Sequence, residues 1–125
     1  MYIQVTLEQI ILFHDYALAQ DGGLPGIKDE GHLMAIWDKP FHEYFGTELY
    51  PGLAHKAAIY LESIAQAHAF NDANKRTAVL VMLTFLDMNG RQLRATEKEL
   101  FDITIQVVTH EVDIPYLTAW INARI

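Results

Sequence analysis

The stretch Arg76–Gly90, RTAVLVMLTFLDMNG, constrains the fold more than any other part of the chain. It is apolar on nearly every side apart from its start. A helix of that kind cannot face water and must be covered by its neighbours. Its β-branched residues leave a strand open as an alternative. Its length favours a helix, and Asn89-Gly90 is a suitable helix stop. The sequence therefore predicts a central helix over about 73–88, with other helices packed around it.

The flanking segments supply that cover. In VTLEQIILFHDYALA, Leu7, Ile10, Ile11 and Leu18 recur near helical spacing. Thr6 is a suitable N-cap, because its hydroxyl can take up an unpaired first-turn amide. That helix should end before Asp21-Gly22-Gly23, and GGLPGIKDEG after it reads as a loop. A short helix from about Asp29 to Asp38 stops before Pro40. Residues 53–67 are alanine-rich, with Leu53, Ala57, Tyr60, Ile64 and His68 along one side, and read as a long helix. Two further helices are expected over about 96–107 and 115–122, with Pro115 in the first turn of the last. The expected fold is all-α, a single domain over 1–125 made of a bundle of five to six helices.

Residues 40–52, PFHEYFGTELYPG, break this pattern. Aromatic and polar residues alternate, and glycine and proline interrupt any helix. A small β-hairpin and an irregular flap both fit. Phe41, Tyr44, Phe45 and Tyr50 are too apolar to be wholly solvated, so part of the segment must rest on something.

Composition narrows the class. At 125 residues with 51% hydrophobic content, the chain is long enough and apolar enough to bury a core. It has no cysteine, which excludes a disulfide scaffold and thiolate chemistry. No apolar run reaches the roughly 18 residues of a membrane span. The N-terminus lacks a basic region followed by an apolar run, so a signal peptide is not expected and a cytoplasmic location is. The net charge of −7 is concentrated in residues 1–51. That acidic half repels nucleic acid and favours a basic protein surface or peptide as partner, and no basic stripe of a nucleic-acid binder is present.

Residues 68–76, HAFNDANKR, gather groups of opposite character between apolar runs. His68 is expected at the end of one helix and Lys75 and Arg76 in the first turn of the next, with Asn71 or Asp72 as its cap. A helix N-terminus presents unpaired amides and a partial positive charge, which suits phosphate. Cations in a first turn oppose the dipole, and an anion held between them would account for their presence. Asp72 is a hard oxygen ligand suited to magnesium. His68 can take a proton from an attacking hydroxyl near neutral pH. Asn74 offers an amide donor to a phosphate oxygen, and Phe70 would turn into the core and lock the loop. The set fits phosphoryl or nucleotidyl transfer, which depends on positioning and charge neutralisation. It also fits a polar corner between two helices, with a capping aspartate and two solvated cations. From the residues alone both readings stand.

The order of these residues resembles the signature of the Fic/Doc superfamily, His-x-Phe-x-Asp/Glu-Gly-Asn-Gly/Lys-Arg. His68, Phe70, Asp72, Asn74 and Arg76 match it. Lys75 stands where the Fic-type adenylyltransferases have glycine and is similar to the Doc branch. GGLPGIKDEG, LYPGLAHKAA and RTAVLVMLTFLDMNG are similar to Doc-type sequences in order and spacing, so the resemblance covers essentially the whole chain. It implies a compact helical fold and a toxin of a bacterial toxin–antitoxin pair. It further implies a protein kinase that transfers the γ-phosphate of ATP to a threonine of translation elongation factor Tu and so blocks translation, with ATP and Mg2+ as cofactors. His68 would be the general base, Asp72 the metal ligand, and Asn74, Lys75 and Arg76 the phosphate-binding residues. The segment at about 41–50 falls at the family's flap, so Tyr44, Phe45, Gly46 and Thr47 would hold the target segment in an extended form by strand addition. The lysine side chain would occupy space used by the phosphates in the adenylyltransferases, which turns the nucleotide and exposes its γ-phosphorus to attack.

Three positions depart from the common form. Ala69 replaces proline, Ala73 replaces glycine, and Val79 stands where the Fic-type motif has a second arginine. No internal inhibitory motif of the form Ser/Thr-x-x-x-Glu-Gly/Asn is present. The resemblance therefore implies inhibition by a separate antitoxin whose C-terminal segment folds on binding. The alternatives are a Fic-type transferase of AMP to a protein hydroxyl, and an inactive homologue that only binds its partner.

Among the remaining candidates, His14 lies among apolar residues of the first helix and reads as a satisfied, partly buried histidine. His32, His42, His55 and His110 lack metal-ligand spacing. Lys28, Asp29 and Glu30 read as solvated loop charges, Glu97 and Glu99 as macrodipole complements, and Trp37 and Trp120 as core or near-core residues.

Overall fold

The computed structural model describes residues 1–67 and 69–125. Six α-helices lie among them: α1 (Leu7–Asp21), α2 (Glu30–Asp38), α3 (Leu53–Ala67), α4 (Asn74–Met88), α5 (Glu97–Val108) and α6 (Ile114–Asn122). A 3-10 turn over Lys39–Phe41 leads from α2 into a two-stranded hairpin, β1 (Glu43–Tyr44) and β2 (Thr47–Glu48). The all-helical expectation therefore holds, and the 40–52 segment takes the hairpin form of its two options.

α4 is the central element. Thr77, Ala78, Val81, Met82, Phe85 and Leu86 are buried along it. α3 packs along α4 most extensively, α1 crosses it elsewhere, and α6 covers α3. The alanines of α3 explain the closeness of that packing: Ala54, Ala57, Ala58 and Ala65 are all buried. Val79, Leu80 and Leu83 are only half-covered, so α4 is less completely enclosed than its composition predicts.

Local chemistry sets the ends of the elements. Thr6 caps α1 in a reciprocal box with Gln9, the Gln9 amide donating to Thr6 Oγ1 at 3.1 Å and the Thr6 amide to Gln9 Oε1 at 2.8 Å. Thr96 and Glu99 repeat the arrangement at α5, so Glu99 does more than complement the dipole. Asp29, expected as a solvated loop charge, is the N-cap of α2 and accepts from the His32 amide at 3.0 Å.

The start of α4 departs from the expectation. Its N-cap is neither Asn71 nor Asp72 but Ala73, in a left-handed conformation with φ 63°, and no side chain caps the helix. Asp72 sits one residue too early, so its Oδ1 takes the amide of Ala73 itself at 2.8 Å. Among the described residues, no side chain accepts from the first-turn amides of α4.

Candidate active site

A cleft of about 640 Å³ opens beside that uncapped helix start. Its floor comes from the 71–76 segment, one wall from the C-terminal half of α1, and the other from α5 over residues 97–105. One end is polar, with Asp21, Asp72, Lys75 and Arg76. The other is apolar, with Tyr16, Leu80, Leu100 and Phe101. Tyr16 and Phe101 are both exposed large hydrophobics.

The motif loop is held from beneath. Phe70 is buried and stacks on the ring of His14, centroids 3.8 Å apart and planes 8° from parallel. His14 Nε2 donates to the Asp72 carbonyl at 3.0 Å. His14 is thus satisfied, as expected, and more deeply buried than the sequence indicates. Asn74 closes the loop from the other side: its Oδ1 accepts the Phe70 amide at 3.2 Å and its Nδ2 donates to the Phe70 carbonyl at 3.0 Å. One hydrogen on Nδ2 remains for any phosphate oxygen, so the first work of Asn74 is to fix the loop.

The glycine-rich segment 22–29 braces the same loop. Ala69 O accepts the amides of Lys28 and Asp29 at 2.8 and 3.1 Å, and the Asn71 amide donates to Gly26 O at 3.2 Å. Leu24 donates its amide to Asp72 Oδ2 at 3.3 Å. Gly23 has φ 132°, and a Cβ there would come within 2.8 Å of Asp72 Oδ2. Only glycine allows the backbone to approach the carboxylate this closely.

Asp72 therefore accepts a backbone amide on each oxygen. The Ala73 and Leu24 amides, with Arg76 nearby, hold its carboxyl below the usual aspartate range. It is exposed and ionised at neutral pH, with lone pairs remaining on both oxygens. Among the described residues no three His, Asp or Glu side chains cluster as a metal cage. A cation at Asp72 would draw its other ligands from phosphate and water, which is the habit of magnesium.

The two adjacent cations are held differently. Arg76 forms an ion pair with Asp21 at 2.5 Å and donates from Nη2 to Gly22 O at 3.4 Å. Lys75 is exposed on the cleft and carries no ion pair with any other described residue.

The structure thus brings Asp72, Asn74, Lys75 and Arg76 to one cleft and puts Phe70 in the core behind it. His68, the expected base, lies outside the described residues. The hairpin residues Tyr44, Phe45, Gly46 and Thr47 are not among the cleft's lining. Tyr44 and Phe45 are exposed, Phe45 at 92%, while Phe41 at the hairpin's root packs edge-on against Phe85. The segment rests on the core through its root, and its tip is free. Sequence reasoning missed Asp21, Gly23 and the Leu24 amide, because each acts through a fold contact about 50 residues away in the chain.

The family model described as "Fic/DOC family" matches residues 4–86, which include α1, the hairpin and the whole motif. The chain belongs to the Fic/Doc family. Among Fic/Doc relatives it is 37% identical over 110 residues to the "Protein kinase doc" of Escherichia phage P1, covering 88% of this chain and 86% of that protein. It is 38% identical over 100 residues to the "Toxin Doc" of Mycolicibacterium smegmatis, covering 78% and 77%. Among the described residues no helix is long and apolar enough to cross a membrane.

Proposed function

We propose that this protein is a Doc-type toxin with protein kinase activity, moving the γ-phosphate of ATP to a threonine hydroxyl of elongation factor Tu. The observation that carries this reading is the polar end of the cleft, where an ionised Asp72, an oriented Arg76 and a Lys75 with no ion pair to any other described residue meet at the start of α4. The likeness to a relative named a protein kinase supports the kinase form of the reaction.

In this reading His68 takes the proton of the target hydroxyl, whose oxygen attacks the γ-phosphorus while the bond to the bridging oxygen breaks and ADP leaves. Asp72 would hold Mg2+, which when bound neutralises charge on the phosphates. Lys75 and Arg76 bind phosphate oxygens, Arg76 presented in a fixed direction by Asp21. Asn74 and Phe70 keep the loop in register. Val79 lines the cleft, and an apolar side chain at that place supplies no second guanidinium for AMP transfer. The apolar end of the cleft, with exposed Tyr16 and Phe101, suits the amphipathic C-terminal segment of an antitoxin that folds on binding.

The test is transfer of phosphate to elongation factor Tu by the wild type, His68→Ala and Asp72→Ala. Both variants should lose at least about a hundredfold in rate while remaining folded at the assay temperature, Asp72→Ala with a lowered Tm because the Ala73 and Leu24 amides lose their acceptor. Wild-type rates in either variant would refute the proposed roles.

A further inference from the structure

Lys56 lies in the first turn of α3, in line with the buried Ile59 and Tyr60, and it is only 1% exposed. A lysine so buried is costly unless its charge is matched. Its partners all come from one place. Nζ donates to the Tyr50 carbonyl at 2.7 Å, lies 3.1 Å from Glu48 Oε1, and stands 5.2 Å from the centroid of the Phe41 ring. These residues bracket the hairpin: Phe41 precedes β1, Glu48 ends β2 and Tyr50 follows it.

The hairpin needs such a brace. Its strands are two residues long, and an isolated two-stranded hairpin is marginal in water. The register sets Glu43 directly opposite Glu48. Cross-strand partners project from the same face, and two carboxylates in that position repel. Lys56 neutralises one of them from a rigid helix. It also fixes the chain after β2 through the Tyr50 carbonyl.

We infer that Lys56 is a positioning residue for the hairpin, setting the pose in which its free edge receives an extended segment of the target protein. This rests on the reading of the hairpin as the target-holding flap. Lys56 touches no cleft residue in these contacts, so its influence should fall on the protein substrate and not on the nucleotide.

The test uses the full chain with Glu48→Gln, which leaves α3 intact, and Lys56→Met, which keeps the stem and removes the charge. The first readout is hydrogen exchange of the Leu49 amide, which donates to His42 O across the hairpin at 3.1 Å. It should quicken by about tenfold in Lys56→Met, where the Glu43–Glu48 repulsion is left unbalanced, and by less in Glu48→Gln, which removes that repulsion together with the ion pair. The second is kinetic: the KM for the protein target should rise about three- to tenfold in Lys56→Met, with kcat and the KM for ATP unchanged. Unchanged Leu49 exchange in both variants would overturn the positioning role. So would an equal rise in the KM for ATP, because a general loss of structure moves both constants. If the wild type transfers no phosphate, the functional reading fails by itself, and the exchange experiment still decides whether Lys56 braces the hairpin.

Discussion

The rings of His14 and Phe70 stack 3.8 Å apart, and the same histidine donates to the carbonyl of Asp72 at 3.0 Å. One side chain of α1 therefore fixes both the apolar anchor of the motif loop and the backbone of its metal-ligand candidate. His14→Ala removes a buried ring and leaves a buried carbonyl without its donor. It should cost about 2–4 kcal/mol of stability, read from denaturant unfolding. A loss below about 1 kcal/mol would show that the loop is held without it.

Ala73 adopts φ 63°, a region that favours glycine. The Cβ strains the turn into α4, so Ala73→Gly should stabilise the protein by about 1 kcal/mol, a rise of roughly 3–5 °C in Tm. Thermal unfolding checks this, and a fall in Tm would contradict the strained geometry.

Much of this was legible in the sequence, and the illegible part has a physical pattern. The long apolar run at 76–90 with its Asn89-Gly90 stop is a local signal, and α4 appears where it points. Capping at Thr6 is local too. The cap of α4 was misread because Asn71 and Asp72 are both good capping residues, and which amide Asp72 reaches depends on the left-handed turn at Ala73. The pairing of Asp21 with Arg76 and the docking of Gly23 on Asp72 join distant parts of the chain, and neither leaves a spacing to read. A lysine one turn before Ile59 and Tyr60 marks Lys56 as a buried charge, and its partners in the hairpin leave no spacing to read.

Asp72 has a folded pKa below its ordinary value of about 3.9. A depressed carboxyl contributes stability that is fully present above the unfolded pKa and lost as pH falls through the folded one. Asp72→Asn should therefore be less stable than the wild type near neutral pH, and the two should converge as the pH drops below about 4. Unfolding midpoints against pH test this. A constant gap down to acid denaturation would mean that ionisation of Asp72 does not stabilise the loop.

Phe45 and Gly46 both have positive φ, the pattern of a type I′ hairpin turn, in which asparagine is favoured ahead of glycine. Phe45→Asn should stabilise the turn by a few tenths to about 1 kcal/mol. If the exposed ring contacts the target, the same change should raise the KM for the protein substrate about tenfold without altering that for ATP. Unchanged target KM would remove Phe45 from the docking surface.

Asp21 orients Arg76 in an ion pair that is partly exposed, so it contributes little to stability. Asp21→Asn should leave Tm within about 3 °C and raise the KM for ATP by about tenfold through a less ordered guanidinium. Steady-state kinetics with varied ATP would show this, and an unchanged KM would mean that Arg76 finds the phosphates unaided.

The most direct test of the central claim is the fate of the label when the protein, magnesium and elongation factor Tu are incubated with ATP labelled on either the α or the γ phosphate. The account predicts label on the target from the γ position alone. Label from the α position would make the protein an AMP transferase and contradict the assignment of Lys75.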